Sequence, residues 1–188
     1  GVDARGAGIP VTLRMLEAGD AAAFQALRLR GLRESPSAFG STYEEEADRP
    51  LDDVAAHLAL RAEGDDVVFG AFDGDVLVGV AGMRRPRNRK GRHRGGVWGM
   101  YVAPEARGRG VGGALLRAIV DHARTVEGLD RLELGVETTN AAARALYLAF
   151  GFVPYGVQPD AYRDDGVSWD SELMSMRIGD AADPGRGG

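Results

Sequence analysis

The spacing of apolar residues changes period several times along the chain, and each change marks an element. Val11 to Leu16 suits a first strand. Asp20 then stands where a helix cap belongs, and Phe24, Leu27 and Leu32 follow at helical spacing until Ser35-Pro36 ends the run. Residues 37–49 are polar and read as irregular, whereas Val54 and Leu58, four apart, predict a second helix over about 51–62. VVFGAF and VLVGVAGM flank Asp73-Gly74-Asp75, a hairpin signal because glycine tolerates the positive φ of tight turns. VWGMYV is apolar on both faces and so reads as a central strand. From Val111 the period is helical, with Leu115, Ile119 and Ala123 on one face, widened by Leu116 and Val120. Leu132, Leu134 and Val136 alternate with Glu133 and Glu137 as in a strand; Ala142, Leu146 and Phe150 predict a helix over 141–150. Short strands near 152–157 and 169–178 close the pattern. Antiparallel strands followed by one β-α-β-α passage predict a mixed α/β, α+β-like fold. One domain is expected over 9–178, with Gly- and Asp-rich tails at 1–8 and 179–188.

Composition narrows the classes. The 188 residues, 44% hydrophobic and 27% charged, suit a globular protein with one full core. No apolar run approaches the roughly 18 residues of a membrane span, and the first residues lack the apolar core of a secretory signal, so a cytoplasmic location without membrane attachment is expected. There is no cysteine, and His57, His93 and His122 are scattered, so no metal site is expected. The net charge of −5 conceals an asymmetry: RRPRNRKGRHR, residues 84–94, holds six Arg and one Lys and no acid. A single basic stretch on an acidic body argues against a nucleic-acid partner. It suits a small anionic ligand or a solvated loop.

The segment between the strand VWGMYV and the helix at Val111 carries the chemistry. In Arg107-Gly108-Arg109-Gly110-Val111-Gly112-Gly113 the glycines let a ligand approach the backbone, and the free N–H groups and positive dipole of the following helix attract phosphate. Gly108, Gly110 and Gly113 also satisfy the dinucleotide pattern GxGxxG. A dinucleotide turn, however, starts almost at the strand end and opens a longer βαβ series, and here Pro104 and its neighbours intervene. No Gly-Lys-Ser/Thr follows, which excludes a nucleoside-triphosphate loop.

Arg107-x-x-Gly110-x-Gly112, set in MYVAPEARGRGVGGALL, resembles the acyl-CoA signature of the GCN5-related N-acetyltransferases (GNAT). Asn140, Ala-Leu-Tyr147 and Gly151-Phe152 resemble a second segment of that family. The likeness is closest over about 65–155. It implies a GNAT-type acyl-CoA N-acyltransferase fold, a mixed central sheet flanked by helices, and transfer of acetyl from acetyl-CoA to a primary amine by direct attack. By the same resemblance the backbone of Met100, Tyr101 and Val102 pairs with pantetheine. Arg107, Gly108, Arg109, Gly110, Val111 and Gly112 hold the pyrophosphate, and Asn140 touches the cofactor, although an Asn there also suits a helix N-cap. Tyr147 stands at the family's general acid. Tyrosine, with a reference pKa near 10, stays protonated at neutral pH and can donate to the departing thiolate.

VWGMYV offers no carboxylate for a base, which leaves Glu133 or water. Phe39 and Tyr43 are candidate apolar walls for the acceptor, and Glu44 with its acidic neighbours a candidate attractant for a cationic amine. The implied partner is a small-molecule or peptide amine, and the resemblance allows a homodimer. A non-catalytic acyl-CoA sensor is the alternative reading, distinguished by cofactor binding without turnover.

Overall fold

The computed structural model describes residues 10–62 and 64–179. The tails expected at either end lie, apart from Gly179, outside the described residues. Seven strands form one sheet: β1 (Thr12–Met15), β2 (Val67–Asp73), β3 (Val76–Arg84), β4 (Arg94–Val102), β5 (Arg131–Glu137), β6 (Val153–Asp164) and β7 (Val167–Arg177), in the order β1-β2-β3-β4-β5-β7-β6. Every neighbouring pair is antiparallel except β4 with β5. Five helices accompany them: α1 (Ala21–Glu34), α2 (Tyr43–Glu46), α3 (Leu51–Ala62), α4 (Val111–Thr125) and α5 (Ala141–Phe150). The fold is therefore the mixed α/β architecture expected.

Helices α1 and α3 pack together on one face of the sheet, and α4 packs on β1 to β4 from the other. Strand β3 makes the division visible. A side chain at position 79 would run into Val111 and Leu115 of α4, whereas one at position 82 would run into Trp98. Positions of opposite parity on a strand face opposite sides, so Trp98 belongs to the α1/α3 face. The core fills both sides, with Leu16, Leu58 and Val68 on one and Met83, Leu115, Leu116, Ile119 and Leu132 on the other.

Two irregularities of β4 create the feature on which function depends. The β3 ladder runs from Val80↔Tyr101 to Gly82↔Trp98, so β4 carries an extra residue at Gly99-Met100. Gly99 sits at φ +65, a left-handed conformation that residues with a Cβ adopt poorly. The bulge puts Trp98 and Tyr101, three apart, on the same face. The parallel pairing of β4 with β5 covers only Arg94↔Arg131, Gly95↔Leu132 and Gly96↔Glu133. Beyond those three pairs the strands separate, and a cavity of about 580 Å³ opens between them.

The segment 84–94 lies at the start of β4, at the far end from the glycine turn, nine residues or about 30 Å of strand away. Three of its seven cations are paired locally. The Arg85 guanidinium donates to Asp65 (2.7 Å) and to the carbonyls of Arg92 and Glu127 (2.6 and 2.8 Å), Arg92 donates to Asp65 (3.1 Å), and Arg94 donates to Glu133 (3.1 Å).

Candidate active site

The glycine turn begins α4. Gly108 and Gly110 adopt φ +77 and +73, and nothing lies within 4 Å of where their Cβ atoms would stand. Gly110 is the N-cap and provides no side chain to bond the first N–H groups of the helix. These donors therefore point into open space at a positive helix end, a cradle for a phosphate group. The two arginines are differently employed from the expectation that they flank an anion. Arg107 donates to Glu34 (2.5 Å) and to the Val102 carbonyl (3.1 Å), and Arg109 donates to Asp73 (2.7 Å). They tie the turn to α1 and to the β2–β3 hairpin.

The cavity is lined by Trp98, Gly99 and Met100 of β4, by Leu134, Gly135, Val136 and Glu137 of β5, and by Asn140, Ala143, Leu146 and Tyr147 around α5. The turn adjoins it through one close packing contact: a Cβ at Gly112 would come within 2.9 Å of Leu146 Cδ2. Asn140 caps α5, its Oδ1 accepting from the Ala143 N–H at 3.2 Å, and lines the cavity as well.

Tyr147 is buried, with its ring edge-on to Phe152 at 6.0 Å between centroids. Desolvation pushes its hydroxyl up to about 12, so the group is a proton carrier at neutral pH. Tyr101 also rises to about 12, through burial and through donating to Glu34 at 2.8 Å. Its ring packs close to Gly31 of α1. The Tyr101 hydroxyl and the Arg107 guanidinium in turn hold Glu34 below the usual carboxylate range.

Met100, Asn140, Tyr147 and Phe39 thus gather on one cavity; Tyr101, Val102 and residues 107–112 are not in its lining, and neither are Glu133, Tyr43 and Glu44. Glu133 pairs with Arg94 at 3.1 Å and is absent from the cavity lining. It shares a face of β5 with Glu137, but the ladder at Gly96↔Glu133 is still closed there. Tyr43 lies under the Arg33 guanidinium (3.8 Å) and borders a separate depression with Leu29 and Glu34. Glu44 is exposed. Thr42 and Glu45 form a capping box that starts α2, and the helical rotation turns Glu44 outward and brings Glu46 inward.

Several lining residues were not anticipated. Glu137 is buried on the cavity wall, its Oε2 accepting from the Thr139 N–H (3.1 Å) and hydroxyl (2.6 Å). Arg28, Arg61, Arg84 and Trp98 form the end nearest α1 and α3, together with Glu46, the one member of the expected acidic run 44–46 that lines the cavity. A signal for two of them existed: Arg28 falls midway between Phe24 and Leu32, and Arg61 falls seven after Val54, so each puts a charge on a buried stripe.

Comparison with known proteins agrees with this geometry. Residues 30–152 match the model of the Acetyltransferase (GNAT) family. The N-alpha-acetyltransferase RimI of Mycobacterium tuberculosis is 40% identical over 111 residues, 59% of this chain and 66% of that protein. An acetyltransferase of the GNAT family from Streptococcus pneumoniae superposes with a TM-score of 0.80 at 26% identity, over 90% of this chain and all of the other. The yncA protein of Salmonella typhimurium, solved with its cofactor acetyl-CoA, has a TM-score of 0.81 at 22% identity, over 94% and 98% of the two chains. The chain spans less than two-thirds of the length of the curated relatives it matches first.

Proposed function

Since the chain belongs to the GNAT family of acetyltransferases, we propose that it is an N-acetyltransferase that moves acetyl from acetyl-CoA to a primary amine by direct attack. The observation that carries the reading is the through-sheet cavity. It opens where β4 and β5 part, adjoins the glycine turn through Leu146, and is lined by a protonated tyrosine.

The residues present fit acetyl-CoA as co-substrate. The uncapped N–H groups at the start of α4 accept a pyrophosphate, with open space above Gly108, Gly110 and Gly113. The unpaired edges of β4 and β5 beyond Gly96 and Glu133 offer backbone partners to an amide-bearing arm. Met100 is the member of the expected trio that lines the cavity. When bound, the co-substrate supplies the activated acetyl group; the chain positions it against the amine and manages two protons. Tyr147 gives its proton to the sulfur as the thiolate leaves. Glu137, the β5 carboxylate on the cavity wall, takes the amine's proton directly or through water, in place of Glu133. The acceptor is a small molecule or a peptide N-terminus, and the site of action is the cytoplasm.

Thermal shift with acetyl-CoA, NADH and ATP, followed by thiol release across an amine panel, tests this. Stabilisation by acetyl-CoA with amine-dependent thiol release is the expected result. Stabilisation by NADH alone overturns it, and acetyl-CoA binding without turnover on any amine favours the sensor reading.

A further inference from the structure

The end of the cavity against α1 and α3 is built around Trp98. The indole lies directly over Gly82, where a Cβ would come within 2.4 Å of ring atoms. Three guanidiniums surround the ring, Arg61 at 4.6 Å from its centroid, Arg84 at 5.4 Å and Arg28 at 5.6 Å. Such stacking holds cations in place without neutralising them. Arg28 is neutralised separately: its Nε donates to both oxygens of buried Glu46, at 3.0 and 2.8 Å, and Arg49 stands 3.7 Å from the same carboxylate. Arg61 and Arg84 have no carboxylate at ion-pair distance among the described residues. Burial and the charges of Arg84, Arg28 and Arg49 together hold Arg61 below its ordinary pKa, opposed by Asp66. Among the described residues that line this end, the one acid, Glu46, is held by Arg28, and Arg61 and Arg84 stand where an acidic wall for a cationic amine was expected.

Resting on the acyl-transfer reading of this cavity, we infer that the acceptor is an amine carrying a carboxylate, which Arg61 and Arg84 bind while the amine faces the thioester. A guanidinium presents a planar fork of donors that matches a carboxylate. Binding it relieves the repulsion between half-buried Arg61 and its exposed neighbour Arg84. The same positive field disfavours the protonated form of the amine and so keeps the nucleophile in its reactive state.

The test compares leucine, leucinamide and 3-methylbutylamine as acceptors for the full chain, with rates expressed per unprotonated amine. A parallel pair, glutamyl-alaninamide against glutaminyl-alaninamide, asks whether the acid belongs to an amino acid or to an acidic peptide. The expected result is a preference of at least about 10-fold in kcat/KM for the carboxylate member of one pair. Arg61→Gln and Arg84→Gln abolish it through KM, and Arg87→Gln, outside the cavity, preserves it. Arg84 is exposed, so its variant keeps the test usable if Arg61→Gln does not fold. Equal or better use of the uncharged members in both pairs overturns the inference while the transferase reading stands. If no amine is turned over, the readout is stabilisation of the CoA-loaded protein by N-acetyl-leucine against N-acetyl-leucinamide. Carboxylate-dependent stabilisation lost in Arg84→Gln upholds the anion site without the transferase reading, and its absence overturns the site too.

Discussion

Tyr147 owes its chemistry to where it is kept. Burial raises its pKa to about 12, so it never ionises in the neutral range and always has a proton to give. Tyr147→Phe is expected to lower kcat roughly 10-fold or more with acetyl-CoA affinity unchanged, measured by single-turnover thiol release alongside cofactor titration. The same burial has a signature in stability. Tyr101 and Tyr147 ionise near 12 in the folded protein and near 10 in the unfolded chain, so the unfolded state sheds protons first. Their contribution is complete below about pH 10 and is lost as pH rises towards 12. Urea melts across that window should show a steeper decline for the wild type than for Tyr147→Phe. Of the carboxylates, Glu137→Gln should depress the pH–rate plateau and Glu133→Gln should leave it in place. Alternation along β5 could be read in the sequence and sets Glu133 and Glu137 on one face, but which of them reached the cavity could not, because that depends on a strand pairing that stops at Glu133.

At the scale of elements, the start of α4 is the part most open to test. Gly110 holds φ +73 as an N-cap, so Gly110→Ala should cost about 1 kcal/mol in denaturant melts and weaken acetyl-CoA binding. Gly112→Ala would instead push against Leu146, an error of packing and not of backbone. Helices α1, α3, α4 and α5 were legible because their apolar stripes persist over three or four turns. The β2–β3 hairpin was legible from Asp-Gly-Asp. Strands β6 and β7 run longer than expected, because Pro154, Gly156 and Pro159 punctuate a strand that is almost wholly exposed and so lacks alternation. Helix α2 was missed because four residues carry no period; its capping box was the available sign. The bulge at Gly99 had no sign beyond a glycine in an apolar run, yet it sets which residues meet α1.

In the whole molecule, the basic stretch and the glycine turn stand at opposite ends of β4, and the net charge says little about either. Asp65 and Glu133 absorb the guanidiniums of Arg85, Arg92 and Arg94 locally. The glycine turn was readable because a contiguous motif encodes it. The acceptor end was not, because Arg28, Glu46, Arg61, Arg84 and Trp98 come from five separate elements and meet only after folding. The parting of β4 from β5 also has a consequence for how the molecule breathes. Strands β1–β4 and β5–β7 form two leaves joined by three residue pairs, so amide protons along the gap have no partner across it. These amides should exchange with deuterated solvent far sooner than those of β2 and β3, and should slow markedly when acetyl-CoA is added, as a ligand spanning the gap takes the place of the missing ladder. A mass-resolved exchange map would then show cofactor binding as a repair of the sheet, with protection centred on 97–102 and 134–137.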